Sequence, residues 1–125
     1  MLLIYSDEQA LSDEEREHCY EESSQLAHQL NSKGQYLAAA PLQPTSTATS
    51  IRVRNSKPLV TDGPFAETRE QLGGYFLVDA KDLDEAIGIA AQLPGARIGT
   101  VEIRPVIEIG SLPAGRSGLL TEPRP

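Results

Sequence analysis

Apolar residues recur along this chain with two periods, and the switches between them mark out its elements. Residues 2–5, Leu-Leu-Ile-Tyr, form a short unbroken apolar run of the kind found in buried strands. Ser12-Asp13-Glu14-Glu15 then spells a capping box, in which the Ser12 hydroxyl accepts from the Glu15 N–H and the Glu15 carboxylate reaches back. The acids of that first turn also suit the positive end of a helix dipole. From there Cys19, Tyr20, Leu26, Ala27 and Leu30 recur at helical steps, with Ser23 filling the gap. Gly34 stops the helix after residue 32 or so, with Lys33 favourable at its C-terminal end. Glu14, Glu17, Glu21 and Gln25 take the opposite face, so this helix covers a sheet on one side only.

Residues 35–40 read as a second strand, closed by Pro41 and Pro44, and residues 42–49 as a loop rich in Pro, Ser and Thr. Residues 49–54 alternate, Ile51 and Val53 against Arg52 and Arg54. Asn55-Ser56-Lys57 turns the chain into a short returning strand at 58–61, completing a hairpin. After the turn Asp62-Gly63-Pro64-Phe65, residues 73–78 make a strong strand. Asp82 opens a second helix whose stripe is Leu83, Ala86, Ile87, Ala90 and Leu93, ended by Pro94-Gly95. Residues 99–106 alternate again, with Val101 and Ile103 on one face. Beyond residue 107 no period survives, which divides the chain into a domain at 1–109 and a C-terminal tail at 110–125, mobile or ordered only against a partner.

A helix lies between strands twice, and right-handed crossovers then place both helices on one face of an antiparallel sheet. The expected class is α+β, ferredoxin-like: βαββαβ with an added β-hairpin. The other sheet face has no cover of its own. Tyr5, Tyr36, Tyr75 and Leu77, with Arg52 and Arg54, are expected there, and a patch of that kind marks an interface. A symmetric homodimer, sheet against sheet, is the economical solution, with clefts at the ends of the joint barrel.

At 125 residues the chain fits one domain. Its net charge of -7 repels polyanions, and direct nucleic-acid binding needs clustered cations that it lacks. One cysteine, Cys19, excludes an internal disulfide and reads as a small core residue. The start, MLLIYSDEQA, has no basic region and too few apolar residues for a signal peptide or a membrane span, so a cytoplasmic location is expected, with no membrane partner.

Candidate chemistry is sparse. Asp62 suits a turn, and in a desolvating cleft it could also serve as a general base. Arg52 and Arg54 share a strand face and could clamp a carboxylate or phosphate, or pair with Glu102. Glu67 and Glu70 read as a solvated pair, or as partners for those arginines. His18 and His28 are too far apart on one helix to share a metal, and no metal or other cofactor is expected. Gly73-Gly74 opens a strand, which points to a bulge or a close backbone approach rather than a phosphate loop.

The run Thr-Asp-Gly-Pro-Phe-Ala-Glu-Thr-Arg-Glu-Gln-Leu-Gly-Gly-Tyr, residues 61–75, resembles the signature of the YCII-related family, DGPF subgroup. MLLIY at the start, residues 46–54 and residues 99–106 extend the resemblance over most of 1–109. It implies a bacterial, cytoplasmic, dimeric ferredoxin-like α/β barrel, similar in fold to small lactone-processing enzymes and monooxygenases. Other members carry a proposed His–Asp pair, whose positions fall on Ser23 and Leu93 in this chain. Subgroup members are often encoded beside extracytoplasmic-function sigma factors. The expected function is therefore a homodimer holding a small, anionic ligand between sheet and partner. Asp62, Arg52, Arg54, Glu67 and Tyr75 would line that cleft, and any reaction would be cofactor-independent proton transfer with Asp62 as base. The alternative is a regulatory module that meets a sigma-factor-related partner through its acidic helix face.

Overall fold

A computed structural model describes residues 1–114 of the chain. Its elements run β1 (Leu2–Ser6), α1 (Asp13–Ser32), β2 (Tyr36–Pro41), a 3₁₀ turn (Thr45–Thr47), β3 (Thr49–Arg54), β4 (Lys57–Asp62), β5 (Gln71–Val78), α2 (Leu83–Ala90), α3 (Gly95–Ile98) and β6 (Thr100–Ile103). Four strands form one sheet in the order β2-β5-β1-β6, and β3-β4 form a separate two-stranded sheet. The central strand β1 runs antiparallel to both neighbours, so each helical connection skips over one strand. This is the ferredoxin-like α+β arrangement with an added hairpin.

Local sequence accounts for the ends of the elements. Ser12 and Glu15 make the reciprocal capping box, with Ser12 Oγ accepting at 3.1 Å and Glu15 Oε1 accepting at 2.9 Å. At the other end of α1, Gly34 takes a left-handed φ of 72°. Its N–H then donates to Asn31 O and that of Gln35 to Leu30 O, a Schellman closure. Asp82 caps α2 through the Glu85 N–H at 2.9 Å, and Glu85 in turn accepts from Gln35 Nε2, tying α2 to the start of β2.

One core lies between the helices and the sheet: Leu2 and Phe76 from the strands, Leu26 and Leu30 from α1, Ile89, Ala90 and Leu93 from α2 and the turn after it. Leu2 and Leu93 are fully excluded from solvent. Val101 and Ile103 pack against this cluster, so the alternation in the last strand is oriented as expected. The two glycines of β5 do both jobs foreseen for them. Gly73 sits at the bulge where the β1–β5 register slips. A Cβ on Gly74 would lie 2.9 Å from the Ala40 carbonyl oxygen, so β2 approaches closer there than a side chain permits.

Four expectations are corrected. Tyr36 packs on the helix-covered face, because a register slip between Tyr36 and Ala38 turns it toward the core. Arg52 and Arg54 are absent from the open face, since their hairpin pairs only with itself. In α2 the buried stripe is Ala86, Ile89 and Ala90, continued by Leu93 in the turn after it, whereas Leu83 and Ile87 are exposed at 60% and 48%. Either stripe has helical spacing, and packing on the sheet selects one of them. The second helix ends at Ala90, ahead of Pro94, which instead precedes a further short turn, α3, and Gly95 fits against Ile4 where a Cβ would lie 2.5 Å from that side chain. The expected tail at 110–125 falls mostly outside the described residues.

Candidate functional site

β1 and β2 finish and β5 begins at the same end of the main sheet, and α1 crosses the face above that end. Between them lies a cleft of roughly 1070 Å³. Ile4, Ala27, Ala39 and Phe76 make its apolar part, with the ring of Tyr36 beside them. The small residues there set the space: alanine at 27 and 39 and glycine at 73 and 74 leave volume between helix and sheet that larger side chains would fill.

The rim is polar and built largely from the β1–α1 connection and the 3₁₀ turn. Asp7 Oδ1 accepts from the Gln9 N–H at 2.9 Å, an Asx turn that bends the chain out of β1. The Glu8 carboxylate accepts from the Thr45 N–H at 2.8 Å and from the Thr45 hydroxyl, pinning the 3₁₀ turn across the mouth of the cleft. Arg16 donates to Asp13 at 2.9 Å and to the carbonyl of Glu8 at 3.3 Å, fixing the connection to α1. Ser6, Ser23 and Ser24 add hydroxyls to the lining.

Cys19 also lines the cleft, half-buried on α1. Burial first, then the negative charge of Glu22, push its thiol above the ordinary value, with Arg97 working the other way. It is a neutral thiol at physiological pH, which agrees with a packing residue rather than a nucleophile.

The residues expected to form the site do not gather in one chain. Tyr75 borders the cleft. Asp62 is exposed at the end of β4, opposite Thr49, although the next two residues, Gly63 and Pro64, do line the cleft. The turn itself is held by other groups: the Gly63 N–H donates to Ala48 O at 2.8 Å and Ser50 Oγ donates to Gly63 O at 2.7 Å. Gly63 adopts φ of 97°, the left-handed region that makes glycine necessary there. Arg52 and Arg54 stand exposed on the hairpin, and Glu102 pairs with Arg104 at 3.8 Å instead of with them. Glu67 is exposed, while Glu70 accepts from the Thr100 hydroxyl at 2.9 Å. His18 and His28 are both exposed, and among the described residues no cluster of metal-ligating groups occurs.

Of the two positions taken from the family resemblance, Ser23 lines the cleft and Leu93 is sealed in the core. Glu8, Arg16 and Thr45 carry no sequence signal of their own. The Asp7-Glu8 pair following the first strand is the only pointer, and it gains meaning when the 3₁₀ turn folds back onto it.

Residues 1–110 match the YCII-related domain. An uncharacterized protein of Rhizobium meliloti (strain 1021) is 38% identical over 120 residues, covering 90% of this chain and 97% of that protein. With a domain match and a full-length relative of that identity on a ferredoxin-like fold, the chain belongs to the YCII-related family.

Proposed function

We propose that this protein is a homodimer that binds a small, largely apolar molecule in the cleft between α1 and the sheet. The observation that carries the binding reading is the cleft itself. Its volume of roughly 1070 Å³ is just above the range usual for small-molecule sites, about 300–1,000 Å³. It has an apolar interior and a rim whose polar groups are already positioned by one another. That rim needs little reordering on binding, which lowers the entropic cost of association.

The dimer reading is supported by the open sheet face and the hairpin. Leu3, Tyr5, Tyr75 and Leu77 share the face away from the helices, by their register with one another and with Glu102 and Thr100. The hairpin exposes Ile51, Val53, Leu59 and Val60, at 52–65%. An isolated two-stranded hairpin is marginal in water and gains stability by packing its apolar side chains. A second copy supplies such a surface. Asp62 at the hairpin base is solvated in a single chain, so proton transfer by Asp62 requires a second copy to cover it.

A test of binding is native mass spectrometry of the protein from its own host, alongside Ala27→Phe, which fills the cleft. We expect a bound small molecule on the natural chain and none on the variant. Equal occupancy of the two, or no molecule that raises the melting temperature of the natural chain, would sink the cleft reading. A second reading, a non-enzymatic module for a sigma-factor-related protein, is favoured by the exposed carboxylates of Glu14, Glu17 and Glu21 on α1. Reversing those three charges would abolish such a contact and leave ligand binding intact.

A further inference from the structure

We infer that the cleft selects an apolar molecule bearing an amine cation and rejects carboxylates and phosphates of the same size; this rests on the binding reading above. The inference comes from accounting for each charge around the mouth. Among the described residues, Asp7, Glu8 and Asp13 are the acids of the lining and Arg16 is its one cation. Arg16 is committed: its guanidinium donates to Asp13 at 2.9 Å and to the Glu8 carbonyl at 3.3 Å, so the pair Arg16–Asp13 is balanced. Two carboxylates remain.

Glu8 is hydrogen-bonded, but by an amide and a hydroxyl of Thr45, which orient its charge without cancelling it. Asp7 uses Oδ1 for the Gln9 N–H, and among the described residues its Oδ2 has no hydrogen-bond partner. Both side chains are half-buried, where screening is weaker than on an open surface. Among the described residues no free cation of the lining stands ready to receive an incoming anion, which would meet this pair instead. Arg97, whose charge reaches the Cys19 thiol, is paired with Glu22 at 2.8 Å, and Arg52, Arg54 and Lys57 stand on the hairpin; none of these four lines the cleft. An amine on an apolar body fits the whole arrangement, its hydrocarbon against Ile4, Ala39 and Phe76 and its charge toward Asp7 and Glu8. The rings of Tyr36 and Phe76 favour a cation over an anion as well.

Three probes with one skeleton test this on the full chain: 3-phenylpropylamine, 3-phenylpropanol and 3-phenylpropionate at neutral pH and low salt. Affinity is read by calorimetry, and occupancy by protection of Cys19, the chain's single thiol, from N-ethylmaleimide. The amine is expected to bind tightest and the carboxylate about tenfold or more weaker, with the gap closing as salt is added. Asp7→Asn keeps the acceptor for Gln9 and should weaken the amine about threefold while leaving the alcohol unchanged; Glu8→Gln serves as the second variant. The alcohol or carboxylate binding as tightly as the amine, or neither variant moving the gap, overturns the charge selection alone. Failure of all three probes to bind or to protect Cys19 overturns the cleft as a binding site.

Discussion

Gly74 offers a sharp test of how β2 and β5 meet at the floor of the cleft. An alanine Cβ there would sit 2.9 Å from the Ala40 carbonyl oxygen and 3.2 Å from Pro41 Cα, both backbone atoms. Neither can rotate away as a side-chain tip would. β2 or β5 must shift by a few tenths of an ångström against a ladder that pairs Ala40 with Tyr75 and Pro41 with Gly74. Overpacking of this kind costs about 1–3 kcal/mol. Removing a glycine from the unfolded chain returns about 0.4–1 kcal/mol. The net loss for Gly74→Ala is therefore about 1–2 kcal/mol, or a fall in melting temperature of roughly 3–10 °C for a domain of this size. Gly88 is the control. It lies within α2, exposed, with nothing within 4 Å of an added Cβ. Gly88→Ala should raise stability by about 0.5–1 kcal/mol through helix propensity. Urea unfolding followed by circular dichroism measures both. If Gly74→Ala were as stable as the natural chain while Gly88→Ala gained as expected, the close approach of β2 to β5 would be refuted.

Leu93→Ala empties a site with 0% exposure at the centre of the core and should cost about 2–5 kcal/mol by the same assay. Ser12→Ala removes the α1 cap and should cost about 1 kcal/mol. That cap also sets a pH dependence. The Ser12 backbone and hydroxyl hydrogen bonds hold the Glu15 carboxyl below the ordinary 4.5, and the Arg97 hydrogen bond holds Glu22 below it. A lowered folded-state value means support that is full above 4.5 and lost as pH falls through the folded values, so the urea midpoint should drop in that acid range and drop less in Ser12→Ala. Ile51→Asp with Val60→Asp places charges on one face of the hairpin. Sedimentation should show this variant as a folded monomer and the natural chain as a dimer; a natural monomer would remove the dimer reading.

Caps and turns were the most legible features of the sequence, because they depend on contacts within a few residues. Ser12 with Glu15, Gly34 and Asp82 each behave as their local pattern implies. Stripes were less so. In α2, Leu83 and Ile87 fit a helical stripe as well as Ile89 does, and nothing within the helix says which side meets the sheet. Tyr36 lies on the face opposite to the one its sequence implies, because a one-residue slip in pairing moves a side chain to the other face, and the slip lies in the β2–β5 contact rather than in β2.

The site follows the same division. The charge and turn chemistry of Asp62, Arg52 and Arg54 are visible in the letters, yet their hairpin carries them outside the cleft of the single chain. The cleft is made by residues with no motif among them: Glu8 meets Thr45 across 37 positions, and Gly73, Ala39 and Ala27 matter for what they lack. The sequence by itself determined the element order, the ferredoxin-like class and the family, since periodicity, caps and crossover handedness are properties of short segments and their succession. Only the tertiary structure decided which helix face is buried, where the hairpin stands and where space remains between helix and sheet. Those depend on distances between segments remote in the chain, and side-chain volumes settle them only once the layers are packed together.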